Sequence, residues 1–500
     1  MATLTSLPLD IQQHIISYLL SNRDVAALSL QSRTFHQLCD MQTRRKYHKI
    51  RIAPNTGSLD RAFNLLLDIL RRPSLGRYVR QIKVHARLPM HVEYMQRQSQ
   101  RDIGSQDEQL LRSAVERAGF TAEEDRIVNM LMQRMTSYKF VSLFSKQSET
   151  RGDETCLPQA LAAILITVSP YLVSMALPPV GGSDDVQYPL NQLLRRVSAG
   201  PKTNIPYLQN LREIYIINEP EPLLDDERFY FRMDFFEPLT AIGGLPAIET
   251  VATDALEEDD GEVNDLDVAS SNISKINIQH SSVSSSYLVS LICSCKALKV
   301  LRFSVGGRAT NDGGYPLFFH TTVMRALLLH RRTLEDVDLD VESYIFHFMC
   351  DLQPRTVGCL CVRYEPREYE GTDRTPPMCL AEQNGSLKDL IGLKRLSIGI
   401  KFLLCFVRGI DLETDASTGS MIVDCLPPHL TYLCIRGYKR GQHAGQDAFI
   451  DELLQAVHQG RLDLELRGVD ETIPHGEDVD DPDRDTHLLW KPPVDASESE

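Results

Sequence analysis

Residues 298–303 read Leu-Lys-Val-Leu-Arg-Phe, and their pattern, apolar-x-x-apolar-x-apolar, decides the fold of most of the chain. The last two apolar residues of the pattern alternate as they do in a β-strand, where successive side chains point to opposite faces. The pattern recurs along the sequence, and its copies begin at Leu172, Leu211, Ile248, Ile273, Leu298, Leu334, Val357, Leu393 and Leu430. Val79, Ile82 and Val84 are a candidate for an earlier copy.

The spacing of the copies indicates a repeat architecture. Successive copies start between 23 and 39 residues apart, and helix-like stretches lie between them at 287–295, 318–330 and 448–458. A single strand-plus-helix unit cannot bury its apolar face alone, so neighbouring units stack on one another. The sequence therefore predicts an α/β solenoid.

From about residue 165 to 467 the chain resembles the leucine-rich-repeat family. Two features depart from the family pattern. The spacing is irregular and often exceeds the usual length of about 20–29 residues. The Asn expected after the last Leu is largely missing, and only Asn218 comes near it. The resemblance implies an irregular leucine-rich-repeat-like solenoid with inserted loops, and another α/β arrangement is the alternative.

The N-terminal segment carries a more specific pattern, typical of three short helices. Ile11, Ile15 and Leu19 recur every four residues, with Ile16 and Leu20 alongside, and predict the apolar stripe of the first helix. Asp24 can cap a second helix, and Ser32 can start a third. A unit of this size buries too little surface to be stable alone. It needs support from the rest of the chain or from another protein.

This segment resembles the F-box family of the fungal type. The family's motif residues are matched in order by Leu7, Pro8, Asp10, Ile11, Ile15, Leu19, Asp24, Leu28, Phe35 and Leu38. A Trp often found near the end of the motif is absent, and Tyr47 lies near its place. F-boxes pack against an SKP-type adaptor protein that is linked to cullin. The resemblance implies adaptor contacts by Leu7, Pro8, Ile11, Ile15 and Leu28, and a helical cap on the solenoid is the alternative.

The remaining segments complete a four-part map. The predicted parts are an F-box at 1–52, a mostly helical bridging region at 53–160, the solenoid at 161–468 and an acidic tail at 469–500. Residues 254–267 contain no basic residue and are predicted to be a surface loop. Trp490, the only Trp, lies in the tail, where a docking motif and an anchor on the solenoid are both open interpretations.

Composition limits the compartment and the partners. The net charge, 53 − 68 = −15, argues against nucleic acid as a partner, because phosphate binding needs a basic surface. The 11 scattered cysteines and the absence of a signal-peptide pattern favour the cytoplasm or the nucleus. Residues 156–183 carry no charge, but Ser169 and Pro170 interrupt them. A buried helix followed by a strand is therefore favoured over a membrane span.

Motifs for catalysis and metal binding are absent from the sequence. It has no phosphate-binding glycine loop, no nucleophile elbow and no paired-His zinc motif. The pairs Cys293/Cys295 and Cys359/Cys361 lack the separation of common zinc ligands and are predicted to be free thiols. We therefore expect a non-catalytic protein without a cofactor.

These patterns together predict a substrate receptor of an SKP–cullin–F-box ubiquitin ligase, and a scaffold without ligase output is the alternative. In each repeat the third, fifth and seventh positions face away from the core. The residues predicted to bind a protein target on that face are Lys275, Arg302, Arg363, Arg395, Tyr432 and Arg436. Their charges suit a folded or phosphorylated target with matching charge, since Arg forks bind carboxylates and phosphates.

Overall fold

The chain forms a mixed α/β protein with two compact units. The computed structural model describes residues 4–19, 22–53, 56–85, 101–132, 156–178, 189–199, 207–218, 226–233, 235–258, 266–310, 316, 318–344, 378–409 and 422–491. Unit 1 comprises Met1–Glu219 together with Leu245–Ile248, and unit 2 comprises Pro220–Gly244 together with Glu249–Glu500. Unit 1 thus contains the predicted F-box, the bridging region and the start of the predicted repeats.

Unit 1 combines helices with a parallel sheet. Its helices are α1 (Leu9–Tyr18), α2 (Asn22–Ser29), α3 (Arg33–Cys39), α4 (Met41–His48), α5 (Thr56–Arg71), α6 (Ser105–Arg117), α7 (Glu124–Leu131), α8 (Cys156–Thr167) and α9 (Pro189–Ala199), with 3₁₀ turns at Leu4–Ser6, Pro73–Tyr78 and Thr121–Glu123. Its strands are β1 (Lys49–Ile52), β2 (Gln81–Val84), β3 (Ser174–Leu177) and β4 (Glu213–Ile216). They pair in chain order, and every pair is parallel.

The uncharged stretch that begins at Cys156 is a core helix. Helix α8 packs on α5 and on strands β1 and β2, and Ala160–Ile166 are almost completely buried. Strand β3 follows it, so the predicted buried helix and strand are confirmed. Within the described ranges, no helix is both long enough and apolar enough to span a bilayer.

Unit 2 contains a longer parallel sheet. Its strands are β6 (Thr250–Asp254), β8 (Lys275–Gln279), β9 (Val300–Ser304), β10 (Asp336–Asp340), β11 (Arg395–Gly399), β12 (Tyr432–Arg436) and β13 (Glu465–Arg467), and β5 (Phe231–Arg232) pairs separately with β7 (Leu256–Glu257). Its helices are α10 (Phe236–Ile242), α11 (Ser285–Ser294), α12 (His320–Leu329), α13 (Met378–Ala381), α14 (Ile400–Arg408) and α15 (Ala444–His458), with 3₁₀ turns at Glu342–Tyr344, Leu387–Asp389 and Ile422–Cys425. All neighbouring strands run parallel.

In-register pairing stacks equivalent apolar residues into buried rows. One such row consists of Ile276, Leu301, Val337, Leu396 and Leu433, which are all 0–1% exposed. The predicted copies overlap with strands, including the early copy at Val79, except the copy at Val357, which lies outside the described residues. Strands β1 and β13 were not predicted.

The acidic segment at 254–267 is in part regular structure, contrary to the prediction of a surface loop. Asp254 ends β6, and Leu256 and Glu257 form β7. Glu257 is only 6% exposed, and its carboxylate lies 3.4 Å from the Arg232 guanidinium. Pairing of β7 with β5 accounts for this order, because it satisfies the backbone. Residues 259–265 lie outside the described part of the chain.

Candidate interaction surfaces

The first three helices pack around a small core of their own. Ile16, Val25, Phe35 and Cys39 are buried together, and the half-buried side chains packed against them are Leu19, Leu28, Leu38 and Met41. The Ser32 hydroxyl accepts a hydrogen bond of 3.2 Å from the Phe35 amide, which confirms the predicted cap of the third helix. The result is a compact three-helix module, residues 4–39.

Helix α1 has apolar side chains on two sides. Ile16 is buried in the module core, whereas Ile11 is 42% exposed and Tyr18 is 69% exposed. With 3.6 residues per turn, Ile11, Ile15 and Tyr18 share one side of the helix, and Ile16 and Leu19 lie on another. Of the predicted stripe, Ile16 and Leu19 pack on the module core, whereas Ile11 is exposed. The helix therefore buries a narrower side than the stripe predicted, and Leu20 lies outside the described residues.

Exposed apolar residues concentrate on this module. The large hydrophobic residues exposed within residues 4–30 are Leu4, Leu9, Ile11, Tyr18 and Leu30, and Leu30 reaches 81% exposure. They are more than half of all such residues in the described part of the chain; the others are Tyr171, Val268, Ile391 and Leu488. We call these five the apolar cluster. A concentration of exposed large apolar side chains on one small module is characteristic of a binding site.

The residues predicted to contact an adaptor lie in different environments. Pro8 and Ile11 are exposed, Leu7 and Ile15 are half-buried, and Leu28 packs in part against the module core. The sequence missed the exposure of Leu9, Tyr18 and Leu30. A helical wheel through Ile11 and Ile15 also passes through Tyr18, so that signal was present.

Arg44 ties the module to the adjoining turn. Its Nε donates to the Cys39 carbonyl at 3.0 Å, and its Nη2 donates to the Ile16 carbonyl at 3.4 Å. The guanidinium also lies over the Tyr78 ring, 5.2 Å from its centroid. Burial lowers the pKa of the Arg44 guanidinium. Arg44 is thus buried although it begins a run of basic residues, a pattern typical of an exposed surface. It donates to carbonyl groups at two helix ends, and the Ile16 carbonyl also accepts a hydrogen bond of 3.2 Å from the Leu19 amide.

The predicted target residues lie on one face of the unit 2 sheet, but most of their charge is internally neutralised. Lys275 lies 3.7 Å from the Glu249 carboxylate, and Arg302 lies 2.9 Å from that of Asp336. Arg363 lies outside the described residues.

Arg436 and Arg395 behave differently on the same face. Arg436 pairs with Asp338 at 2.5 Å and approaches Asp340 at 3.6 Å, and only 18% of its side chain is exposed. Arg395 instead stacks on the Tyr432 ring, with its Cζ 4.0 Å from the ring centroid. The five predicted residues that the structure describes are therefore not one continuous basic surface.

The segment predicted as an acidic tail packs back on unit 2 as far as the description extends. We call residues 473–491 the C-terminal strap. It crosses the carboxyl ends of β9, β10 and β12. Four backbone hydrogen bonds of 2.8–2.9 Å hold it there, in which amide groups donate to carbonyl groups: Gly437 to Ile473, Gly307 to Glu477, Val479 to Arg308 and Trp490 to Gly307. The Gly476 amide also donates to the Asp340 carboxylate, at 3.0 Å. A free tail would leave these backbone groups without protein partners. Trp490 stacks on His280, with a centroid distance of 4.6 Å, and so anchors the strap on unit 2 just after strand β8.

A half-buried carboxyl group holds the middle of the strap. The hydroxyl groups of Tyr230 and Tyr344 both donate to Asp478, the latter at 3.3 Å. Burial raises the pKa of Asp478 to about 6, and the two hydrogen bonds oppose part of the rise. Burial likewise raises the pKa values of Asp340 and Glu342.

The cysteines of unit 2 fit the prediction of free thiols where they are described. Cys293 and Cys295 are buried, and burial raises the pKa of Cys295 to about 12. Such thiols are poor nucleophiles and poor metal ligands. Cys359 and Cys361 lie outside the described residues. Across the described ranges, no group of three His, Cys, Asp or Glu side chains could hold a metal ion.

Two comparisons with known proteins identify no relative of this chain. A scan against protein-family models finds no match to this sequence. A search of curated proteins finds no significant match either. What the protein does must therefore be inferred from its own residues.

Proposed function

We propose that this protein is the substrate-receptor subunit of an SKP–cullin–F-box ubiquitin ligase. The observation that carries the proposal is the apolar cluster on the three-helix module. Its exposed Ile11 and the neighbouring Pro8 belong to the residues that resemble the F-box motif. A module with so small a core gains stability when a partner covers its exposed apolar side chains.

The proposed mechanism is proximity. The module binds the SKP-type adaptor and, through it, cullin, while the repeats bind an unidentified protein target as an irregular leucine-rich-repeat-like solenoid. Parallel strands that follow one another in chain order support this second role. The receptor supplies effective concentration and orientation for ubiquitin transfer, without a catalytic residue of its own. Buried free thiols such as Cys293 agree with a cytoplasmic or nuclear location.

The substitution Ile11→Asp tests the adaptor interface. It places a charge on the side of helix α1 that carries Ile15 and Tyr18, and burying an unpaired charge in an interface is costly. We expect co-purification of an SKP-type adaptor and of cullin with wild type, and loss of both with Ile11→Asp. Gln13→Asp is the matched control, because it adds the same charge at another exposed position of helix α1.

Both variants should retain the wild-type circular dichroism and melting temperature, since neither position is in the core. Tyr18→Ala provides a second test without a new charge, and we expect weaker adaptor binding from it. Normal adaptor binding by Ile11→Asp and Tyr18→Ala would refute the F-box assignment. Adaptor binding without cullin would favour the scaffold alternative over a ligase subunit.

A further inference from the structure

The carboxylates of strand β10 determine which cations of the sheet face remain available. Asp336 lies directly opposite both Val300 and Arg395 in the register of the sheet. Its carboxylate nevertheless pairs with Arg302, at 2.9 Å. Asp338 pairs with Arg436 in the same way, although that residue is two strands away. The acidic side chains nearest to Arg395 are thus already paired with other cations.

Arg395 has no carboxylate partner among the described residues. It is exposed, and its Cζ lies over the ring of Tyr432, the residue opposite it on β12, 4.0 Å from the ring centroid. Stacking orients a guanidinium and leaves the donors at its edge directed to the surroundings. Lys394, its neighbour, is by contrast paired with Glu335 at 2.7 Å. Arg395 is therefore an oriented, unneutralised cation among the described residues of a face where Lys275, Arg302 and Arg436 are paired.

Arg467 adds positive charge beside Tyr432. Burial raises the pKa of Tyr432, and both Arg395 and Arg467 lie close enough to oppose this rise. Arg467 itself has only loose acidic neighbours, Glu465 at 4.0 Å and Glu471 at 3.9 Å, and all three side chains are more than half exposed. Such exposed pairs are weak and readily exchanged for a better partner.

The C-terminal strap leaves this position uncovered. Its backbone contacts with the sheet lie at the carboxyl ends of the strands, at Gly437 and Asp340. Arg395 and Tyr432 begin their strands, four residues before those ends. At about 3.3 Å per residue, that separates them from the strap by roughly 13 Å. Among the described residues, the strap therefore covers one end of the face and leaves the end with Arg395 and Tyr432 open.

We propose that Arg395, Tyr432 and Arg467 form a recognition site for an acidic segment of the target protein, with the Arg395 fork binding a carboxylate. This assignment rests on the proposed function. It narrows the predicted target-binding surface from six residues to the open end of the sheet. Charge complementarity identifies the occupant, because a planar, stacked guanidinium presents two parallel donors that match a carboxylate. In a chain of net charge −15, this local positive charge also sets where an acidic partner can approach.

A phage-displayed library of random peptides tests this assignment on the full-length chain. Selection on wild type should enrich peptides with Asp or Glu at a fixed position. Selection on Arg395→Gln should lose that preference. Lys275→Gln is the matched control: it removes one positive charge from the same face, three strands away, and should keep the preference. Acid-independent enrichment, no enrichment, or equal loss in both variants would overturn the assignment.

A synthetic peptide taken from the selection then tests direct pairing. Replacing its acidic residue by the amide, or changing Arg395→Gln, should each weaken binding about tenfold. The two changes together should weaken binding little more than either alone, because they remove the same contact. Additive losses would place the carboxylate elsewhere. None of these measurements involves the adaptor, so their failure is distinguishable from failure of the ligase assignment, which the Ile11→Asp experiment tests.

Discussion

The carboxyl group of Asp478 makes the attachment of the strap to the sheet dependent on pH. Its pKa is raised by burial to about 6, so the fold favours the protonated carboxyl. For an acid whose folded-state pKa is raised, the stabilising contribution is fully present below the unfolded-state pKa. It is lost as the pH rises through the folded-state value. The contribution of Asp478 should therefore hold the strap more firmly at mildly acidic pH than at neutral pH.

The substitution Asp478→Asn should reduce this dependence on pH. The amide is neutral like the protonated carboxyl, and its oxygen can still accept hydrogen bonds from Tyr230 and Tyr344. Relative to wild type, we expect the variant to gain on the order of 2 kcal/mol in free energy of unfolding between about pH 4.5 and pH 7.5. Urea denaturation at both pH values measures this difference.

The comparison between variant and wild type removes the other titrating groups. Burial raises the pKa values of Asp340 and Glu342 and lowers that of His280, but these groups are present in both proteins. Asp470→Asn, at an exposed position just before the strap, is the control and should follow wild type at both pH values. An Asp478→Asn curve parallel to wild type would show that this carboxyl does not titrate in the range.

The sequence alone predicts that the charged residues share one face of the sheet, but it does not predict which of them form ion pairs. Period-two alternation within each repeat predicts that Arg302, Arg395 and Arg436 point outward. Which carboxylate each one meets depends on the register between strands, and Arg436 and Asp338 are 98 residues apart in sequence. The special position of Arg395 follows from these long-range choices, so local patterns could not reveal it.

At the scale of elements, the strap depends on glycines that let two backbones approach closely. Gly307 has a φ of +82°, and a Cβ atom there would lie 2.6 Å from the Trp490 Cβ. Gly306 has a φ of +94°, and a Cβ atom there would lie 2.5 Å from the Glu477 amide nitrogen. Any side chain at these positions would displace the strap.

The substitution Gly307→Ala should loosen the strap and change the fluorescence of the only Trp in the chain. Trp490 is half-buried and stacked on His280, so its release should shift the emission to longer wavelength. Acrylamide quenching should also increase, because the indole becomes more accessible to solvent. Steady-state fluorescence of the purified chain measures both effects.

Gly441→Ala separates backbone strain from displacement of the strap. Gly441 also has a positive φ, +86°, but a Cβ atom there would meet nothing within 4 Å. Both substitutions carry a similar conformational cost, and only Gly307→Ala should alter Trp490 emission. Equal spectra for the two variants would mean that the strap does not depend on this close approach.

The repeat pattern predicted most elements of the sheet and missed those that depart from it. Strand β13 was missed because, in register with β12, Asp463 and Gly468 occupy the first and last positions of its repeat, where the other copies have mostly apolar residues. Strand β1 fits the pattern only if Tyr47 counts as the first apolar residue, and that Tyr is indeed 3% exposed. The strap was unpredictable because it is acidic, contains Pro474 and Pro482 and has no periodicity, so only contacts distant in sequence order it.

At the scale of the whole molecule, polar and apolar surfaces are unequally distributed. The chain carries a net charge of −15, which keeps most of its surface well hydrated. The three-helix module is the exception, with Leu9, Tyr18 and Leu30 all more than half exposed. In the absence of a partner, such a surface promotes self-association.

Co-expression with an SKP-type adaptor should therefore raise the soluble, monodisperse fraction of the full chain. The adaptor would cover the apolar cluster and remove the surface through which copies associate. Size-exclusion chromatography with light scattering, on protein made with and without the adaptor, measures this fraction.

Ile11→Asp turns this prediction into a test of mechanism, since it breaks up the apolar cluster and blocks the proposed adaptor site in one step. Made alone, the variant should be more monodisperse than wild type made alone, because the new charge at position 11 opposes self-association through the apolar cluster. Made with the adaptor, it should gain nothing further. Wild type that is equally monodisperse with and without adaptor would favour the helical-cap interpretation, in which these side chains need no partner. A variant that still improves with adaptor would place the adaptor on a different surface from the one formed by Ile11 and Tyr18.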